Sequence, residues 1–192
     1  MAIDSDLELM LRVKDGSAES FELLLKKYRL PLVGYLVRMV GDPTLAEDLA
    51  QEVFLRVYQA RERYRPDARF TTWLYRIATN LALNSIRKRK SEPAGVTEGA
   101  DEPPAVVRVA DKRPGIEEQL MLSDREQLIR EAVQSLPENQ RAAVILHKYQ
   151  DVDYRHIAKV LHVSESAVKS LLFRAYENLR TQLEPLLQGG RL

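Results

Sequence analysis

Apolar residues return every three or four positions along most of this 192-residue chain, and nowhere do they alternate with period two over a useful length. A helix repeats every 3.6 residues and a strand every two, so this spacing dictates an all-α fold. Leu45, Leu49, Val53, Phe54, Val57 and Tyr58 form one such buried face. Trp73, Leu74, Ile77, Ala78, Leu81 and Ile86 form a second, and Ile116, Leu120, Leu128, Ile129, Val133 and Leu136 a third. Helix boundaries are written between them. Asp4 or Ser5 caps a short helix that stops at Asp15-Gly16, and Ser17 caps the next, which Pro31 should bend and Gly41 should end. Asp42-Pro43 gives a capping carboxylate followed by proline at the first helical position. A fourth helix runs from about Thr71 to Lys90.

The periodicity fails once. Residues 90–115 hold four of the nine prolines together with small and acidic residues, the composition of an extended, flexible linker. It divides the chain into an N-terminal helical bundle (1–90), the linker (91–115) and a C-terminal helical domain (116–188). Beyond it, Pro137 opens a helix to about Tyr149. Asp153 caps YRHIAKVLH, and Ser164 caps a last long helix.

Charge and composition exclude several functions. Residues 1–90 carry 16 Lys and Arg against 12 Asp and Glu, the linker 3 against 5, and the remainder 10 against 11, for a net charge of +1. Nothing here grips nucleic acid by bulk charge, so any DNA contact must be local and geometric. With no cysteine, disulfides and thiolate metal sites are ruled out. His147, His156 and His162 are the only histidines, too far apart to suggest a metal site. No phosphate loop, nucleophile elbow or paired carboxylates suggest catalysis, and no metal, cofactor or small-molecule substrate is expected. The acidic N-terminus does not read as a signal peptide, and the apolar run Leu30 to Val40 is too short to span a bilayer, so a cytoplasmic protein without membrane insertion is expected.

The last two helices carry the clearest chemistry. His162-Val163-Ser164 makes a turn short enough to force a sharp crossing. Ile157, Ala158 and Leu161 can pack against Val168, Leu172, Ala175 and Leu179, and His162 has to take a left-handed conformation. This spacing fits a helix-turn-helix whose second helix enters the major groove of DNA. Its exposed face would present Glu165, Ser166, Lys169, Ser170, Phe173 and Arg174. Lys169 and Arg174 suit phosphate or guanine edges, Phe173 suits a thymine methyl, and Ser164 aims free backbone N–H groups at a phosphate.

Taken in order, four stretches resemble the extracytoplasmic-function sigma factors, the compact two-domain branch of bacterial sigma factors. AEDLAQEVFLRVY (46–58) is similar to the family's polymerase-clamp helix. FTTWLYRIATNLALNSIRKRK (70–90) is similar to its promoter-melting and minus-ten-reading segment. SLPENQRAAVILHKYQDVDYRHIAKVL (135–161) and VSESAVKSLLFRAYENLR (163–180) resemble its minus-thirty-five-reading domain. The resemblance implies that Asp48, Gln51 and Glu52, with Arg56 beside them, dock on a coiled coil of the largest subunit of core RNA polymerase. The upstream domain would sit at the polymerase flap. It further implies that Asn80 lines a pocket for a flipped base of the melted strand, with Phe70 as part of the wall. Asn84 and Arg87 would be neighbouring contacts, and Arg76 and Lys88 would hold the backbone, consistent with how amides, aromatics and cations take single strands. Leu171 and Lys169 stand where the family often has basic residues and arginine, so the upstream promoter sequence is not carried over. An anti-sigma factor is the implied regulator, because QGGRL after Leu187 leaves no room for a regulatory domain. Two other readings use the same residues: a stand-alone helix-turn-helix regulator acting without polymerase, and an adaptor that binds partners but no DNA.

Overall fold

A computed structural model of the chain describes residues 5–65, 69–91 and 116–188, the side chains of 116–124 and 185–188 excepted. Eight α-helices and no strand occur among the described residues: α1 (Ser5–Lys14), α2 (Ala18–Val40), α3 (Pro43–Gln59), α4 (Phe70–Ser91), α5 (Ile116–Ser135), α6 (Glu138–Tyr149), α7 (Tyr154–Leu161) and α8 (Glu165–Gln188). The expected linker, apart from Ser91, lies outside the described residues, as do the side chains of Ile116 and Leu120.

The capping residues do what their chemistry requires. Ser17 accepts from the Ser20 backbone N–H at 3.2 Å and starts α2, which continues through the exposed Pro31. Gly41 ends it at φ 77°, a left-handed conformation that costs a residue without Cβ little. Asp42 accepts from the Leu45 N–H at 3.1 Å to start α3. That hydrogen bond, assisted by Arg89 at 2.9 Å, holds its carboxyl below the usual carboxylate range. Asp153 starts α7 by accepting from the His156 N–H at 2.9 Å. Ser164 starts α8 by accepting from the Ala167 N–H at 3.1 Å.

In the N-terminal half, Met10, Leu24, Leu32, Leu36, Met39, Val53, Val57, Phe70 and Leu74 close a core between α1 and α4. Tyr35 is fully buried inside it, its hydroxyl sharing a 2.7 Å hydrogen bond with Thr79, and burial pushes its pKa up. Asp6 is also buried, accepting from Lys27 at 2.6 Å and from the Tyr28 hydroxyl. Tyr58 departs from the sequence expectation. It is 41% exposed, lying over Phe21 with the Arg61 guanidinium 4.4 Å from its ring, while Ala46 and Ala50 take the buried positions instead. Ile129 likewise turns outward, at 37% exposed.

The two halves pack on each other, and their buried apolar residues join in one cluster. Helix α2 meets α5 and α6, and α4 meets α7. Polar groups also cross the seam. Arg141 Nη1 donates to Met39 O at 2.6 Å and Gln134 Nε2 to Arg38 O at 2.6 Å, so the C-terminal carbonyls of α2 are satisfied by side chains from the other half. Gln134 also lies against Gly41, where a Cβ would come within 3.2 Å of its Oε1. The Arg38 guanidinium stacks 4.4 Å over the Tyr149 ring, the Tyr75 hydroxyl bonds Gln150, and Lys90 pairs with Glu138 at 2.7 Å.

Candidate nucleic-acid interface

Arg76, Asn80, Asn84 and Arg87 recur at spacings of four and three, so α4 carries them as one row along its length. The buried side of the same helix explains why the row faces outward: Leu74, Tyr75, Ala78, Leu81 and Ala82 are anchored in the core. Asn80, Asn84, Arg87 and Lys88 are exposed and Arg76 half-buried. The row is straddled by the C-terminal half. Arg76 borders the cleft between α4 and α7, and Arg87 approaches Glu138 of α6 at 3.8 Å. Asn80 and Asn84 lie between those two ends and keep their amides exposed.

Phe70 has to be corrected. Its side chain has no exposed surface, and its ring packs against Tyr28 (5.4 Å between centroids) and Trp73 (6.3 Å). As the first residue of α4 it anchors the helix in the core, and it offers no surface to a base.

On α3, Asp48, Gln51 and Arg56 are exposed and Glu52 half-exposed, with Arg56 Nε 2.6 Å from Glu52. Leu55, 50% exposed, and Tyr58 lie beside them, and sequence reasoning assigned neither to this surface. Leu55 could have been found, because it falls four residues after Gln51 and outside the apolar stripe. A groove of about 350 Å³ between α3 and α4 brings Asp48 together with Lys88 and Arg89.

The helix-turn-helix forms as its spacing requires. Ile157, Val168 and Ala175 have no exposed surface, and Ala158 and Leu172 are 7% and 2% exposed. His162 takes φ 55°, the left-handed turn expected of it. Ser164, Glu165, Ser166, Lys169, Ser170, Phe173 and Arg174 all point to solvent, with Phe173 at 69% exposure. A phenyl ring left this open on a helix whose opposite face is packed is suited to contact with a partner. Ser170 Oγ donates to Ser166 O at 3.1 Å, so its hydroxyl would have to turn to reach a base.

Family models match the same two regions: sigma-70 region 2 over residues 24–92, and sigma-70 region 4 over residues 126–179. The RNA polymerase sigma-H factor of Pseudomonas aeruginosa is 36% identical over 189 residues, covering 96% of this chain and 97% of that protein. The chain belongs to the extracytoplasmic-function sigma factors of the sigma-70 family. The Escherichia coli K12 ECF RNA polymerase sigma-E factor is 31% identical over 188 residues, covering 96% of this chain and 97% of that one. Among solved structures, CnrH in complex with the cytosolic domain of CnrY shares the fold with a TM-score of 0.71 at 20% identity, over 95% of this chain and 99% of that one. The sigma factor RpoE of Bartonella quintana, in complex with the anti-sigma factor NepR, does so with a TM-score of 0.67 at 20% identity, over 87% and 98%. This sigma factor directs RNA polymerase to promoters, and sigma factors are non-enzymatic initiation factors. Among its described residues no helix is long and apolar enough to cross a membrane, and no three His, Asp or Glu side chains gather as metal ligands.

Proposed function

We propose that residues 1–90 bind core polymerase and capture the melted minus-ten strand, while residues 116–188 read the minus-thirty-five duplex. The observation that carries this division is that each half presents its own outward row of base-reading chemistry on a packed helix: the amides and cations of α4, and the face Ser164 to Arg174 of α8. Asn80 takes a flipped base, Asn84 reads beside it, and Arg76, Arg87 and Lys88 hold phosphates. Lys169 and Arg174 contact phosphate or guanine edges, Phe173 a thymine methyl, and Glu165, Ser166 and Ser170 complete the face.

Asp48, Gln51, Glu52 and Arg56 dock on the coiled coil of the largest polymerase subunit, where complementary polar contacts fix orientation more than they add affinity. Region 4 sits at the flap. The polymerase performs all the chemistry, the chain needs no cofactor, and it works in the cytoplasm without entering the membrane. An anti-sigma factor controls it, a role supported by the related fold of Bartonella quintana RpoE, whose solved structure holds the anti-sigma factor NepR. Reconstituted run-off transcription tests the reading. Sigma-free core polymerase on genomic promoter fragments should yield specific transcripts only when this chain is added. An absence of transcripts together with an absence of co-elution with core would overturn it.

A further inference from the structure

Where α7 lies across the N-terminal end of α4, a cleft of about 400 Å³ opens between the two halves of the molecule. Among the described residues its charged lining is of one sign. Arg63 and Arg65, just before α4, and Arg76 on α4 converge on it from one side, and Lys159 on α7 from the other. Among the described residues none of these four cations has a carboxylate partner, although cations farther along α4 are paired: Arg87 and Lys90 with Glu138, and Arg89 with Asp42. The half-buried Trp73 adds an aromatic wall. Thr72 also lines the cleft, 5% exposed, with a hydroxyl that has no hydrogen-bond partner.

Arg63, Arg65 and Lys159 are exposed and Arg76 half-buried, so the cations lining the cleft repel one another across it, and a bound anion relieves that repulsion and gives them a common partner. Guanidinium forks match the oxygens of phosphate, and an ammonium completes such a set as a point charge. The volume lies in the range that takes a small ligand, and Lys159 and His162 of the C-terminal half wall the cleft opposite α4. We propose that this cleft is a binding site for a compact ligand carrying two or more phosphate groups, held by Arg63, Arg65, Arg76 and Lys159. Because its donors come from both halves, the ligand ties α4 to α7 and favours the packed form.

Calorimetric titration of the full chain with inorganic tripolyphosphate, and separately with ATP, tests this. The expected result is one saturable site, weakened at least tenfold by Arg63→Gln and, independently, by Lys159→Gln, with circular dichroism showing both variants folded. Binding of ATP tenfold tighter than tripolyphosphate identifies a nucleotide whose base uses Trp73, and equal affinity identifies the phosphate chain alone. Tripolyphosphate should also raise the thermal midpoint of the wild type but of neither variant. The proposal is overturned if neither probe saturates by millimolar concentration, or if sulfate at matched ionic strength reproduces the effect. It is likewise overturned if Lys159→Gln binds as the wild type does, which would place the anion on the N-terminal half only. Tighter binding of a single-stranded oligonucleotide than of either probe, insensitive to Lys159→Gln, would make the cleft part of the strand track and also overturn it.

Discussion

Phe70 and Asn80 sit ten residues apart on α4 and differ in what a truncation should do. Phe70 fills the junction of Tyr28 and Trp73 with no surface exposed. Phe70→Ala should therefore lower stability by about 3–5 kcal/mol in denaturant unfolding. A variant that keeps its stability yet loses capture of the melted strand would return the ring to the base pocket. Asn80 is exposed, so Asn80→Ala should leave unfolding unchanged and core binding intact while impairing open-complex formation. Equal promoter opening by that variant would remove Asn80 from the pocket. The contrast also shows where the sequence was legible. Burial of Leu74, Ala78 and Leu81 could be read from spacing alone, because their period is that of the helix. Phe70 could not, since a residue at a helix start carries no phase of its own and its role came from the resemblance. Tyr58 kept the right phase, but an aromatic ring at the rim of a stripe can cover its neighbours without being covered.

At the scale of elements, the boundaries were the most readable part, because each is set by one side chain acting over three or four residues. Asp42 starting α3, Gly41 ending α2 and His162 in the left-handed turn before α8 all follow from local chemistry. Asp42 makes a further prediction. Its folded pKa lies below the ordinary value, chiefly because the Leu45 N–H hydrogen-bonds the ionised form. Its charge therefore stabilises the fold above pH about 3.9, and that contribution disappears as pH falls through the lowered folded value. Asn caps nearly as well but cannot ionise. Unfolding of wild type and Asp42→Asn should thus differ by about 0.3–1 kcal/mol at neutral pH and converge once the pH has fallen below the lowered folded value. A difference that stays constant across that range would show that the charge contributes nothing.

The arrangement of the whole molecule had no signature in the sequence. Arg141 and Met39 are 102 positions apart, and the polar contacts across the seam are single groups with no periodicity to betray them. Arg141→Ala strips Met39 O of a 2.6 Å charge-assisted hydrogen bond. Small-angle scattering should then report a larger radius of gyration than the wild type, and an unchanged profile would show that the seam does not depend on this side chain. The packed form also meets a simple limit of reach. A compact chain of this length has a radius of gyration of about 16 Å. Promoter elements centred about 25 base pairs apart are separated by about 85 Å of duplex at 3.4 Å per step. Under the proposed division of labour the halves must part before both elements can be read at once, so only the fraction of molecules already apart is competent for a promoter. The apparent dissociation constant of the initiation complex is the intrinsic one divided by that fraction. Every ~1.4 kcal/mol held in the seam therefore weakens promoter engagement tenfold. A few polar contacts far from any base thus act as a gain control, and substitutions that make this protein less stable as a folded object can make it a stronger initiator.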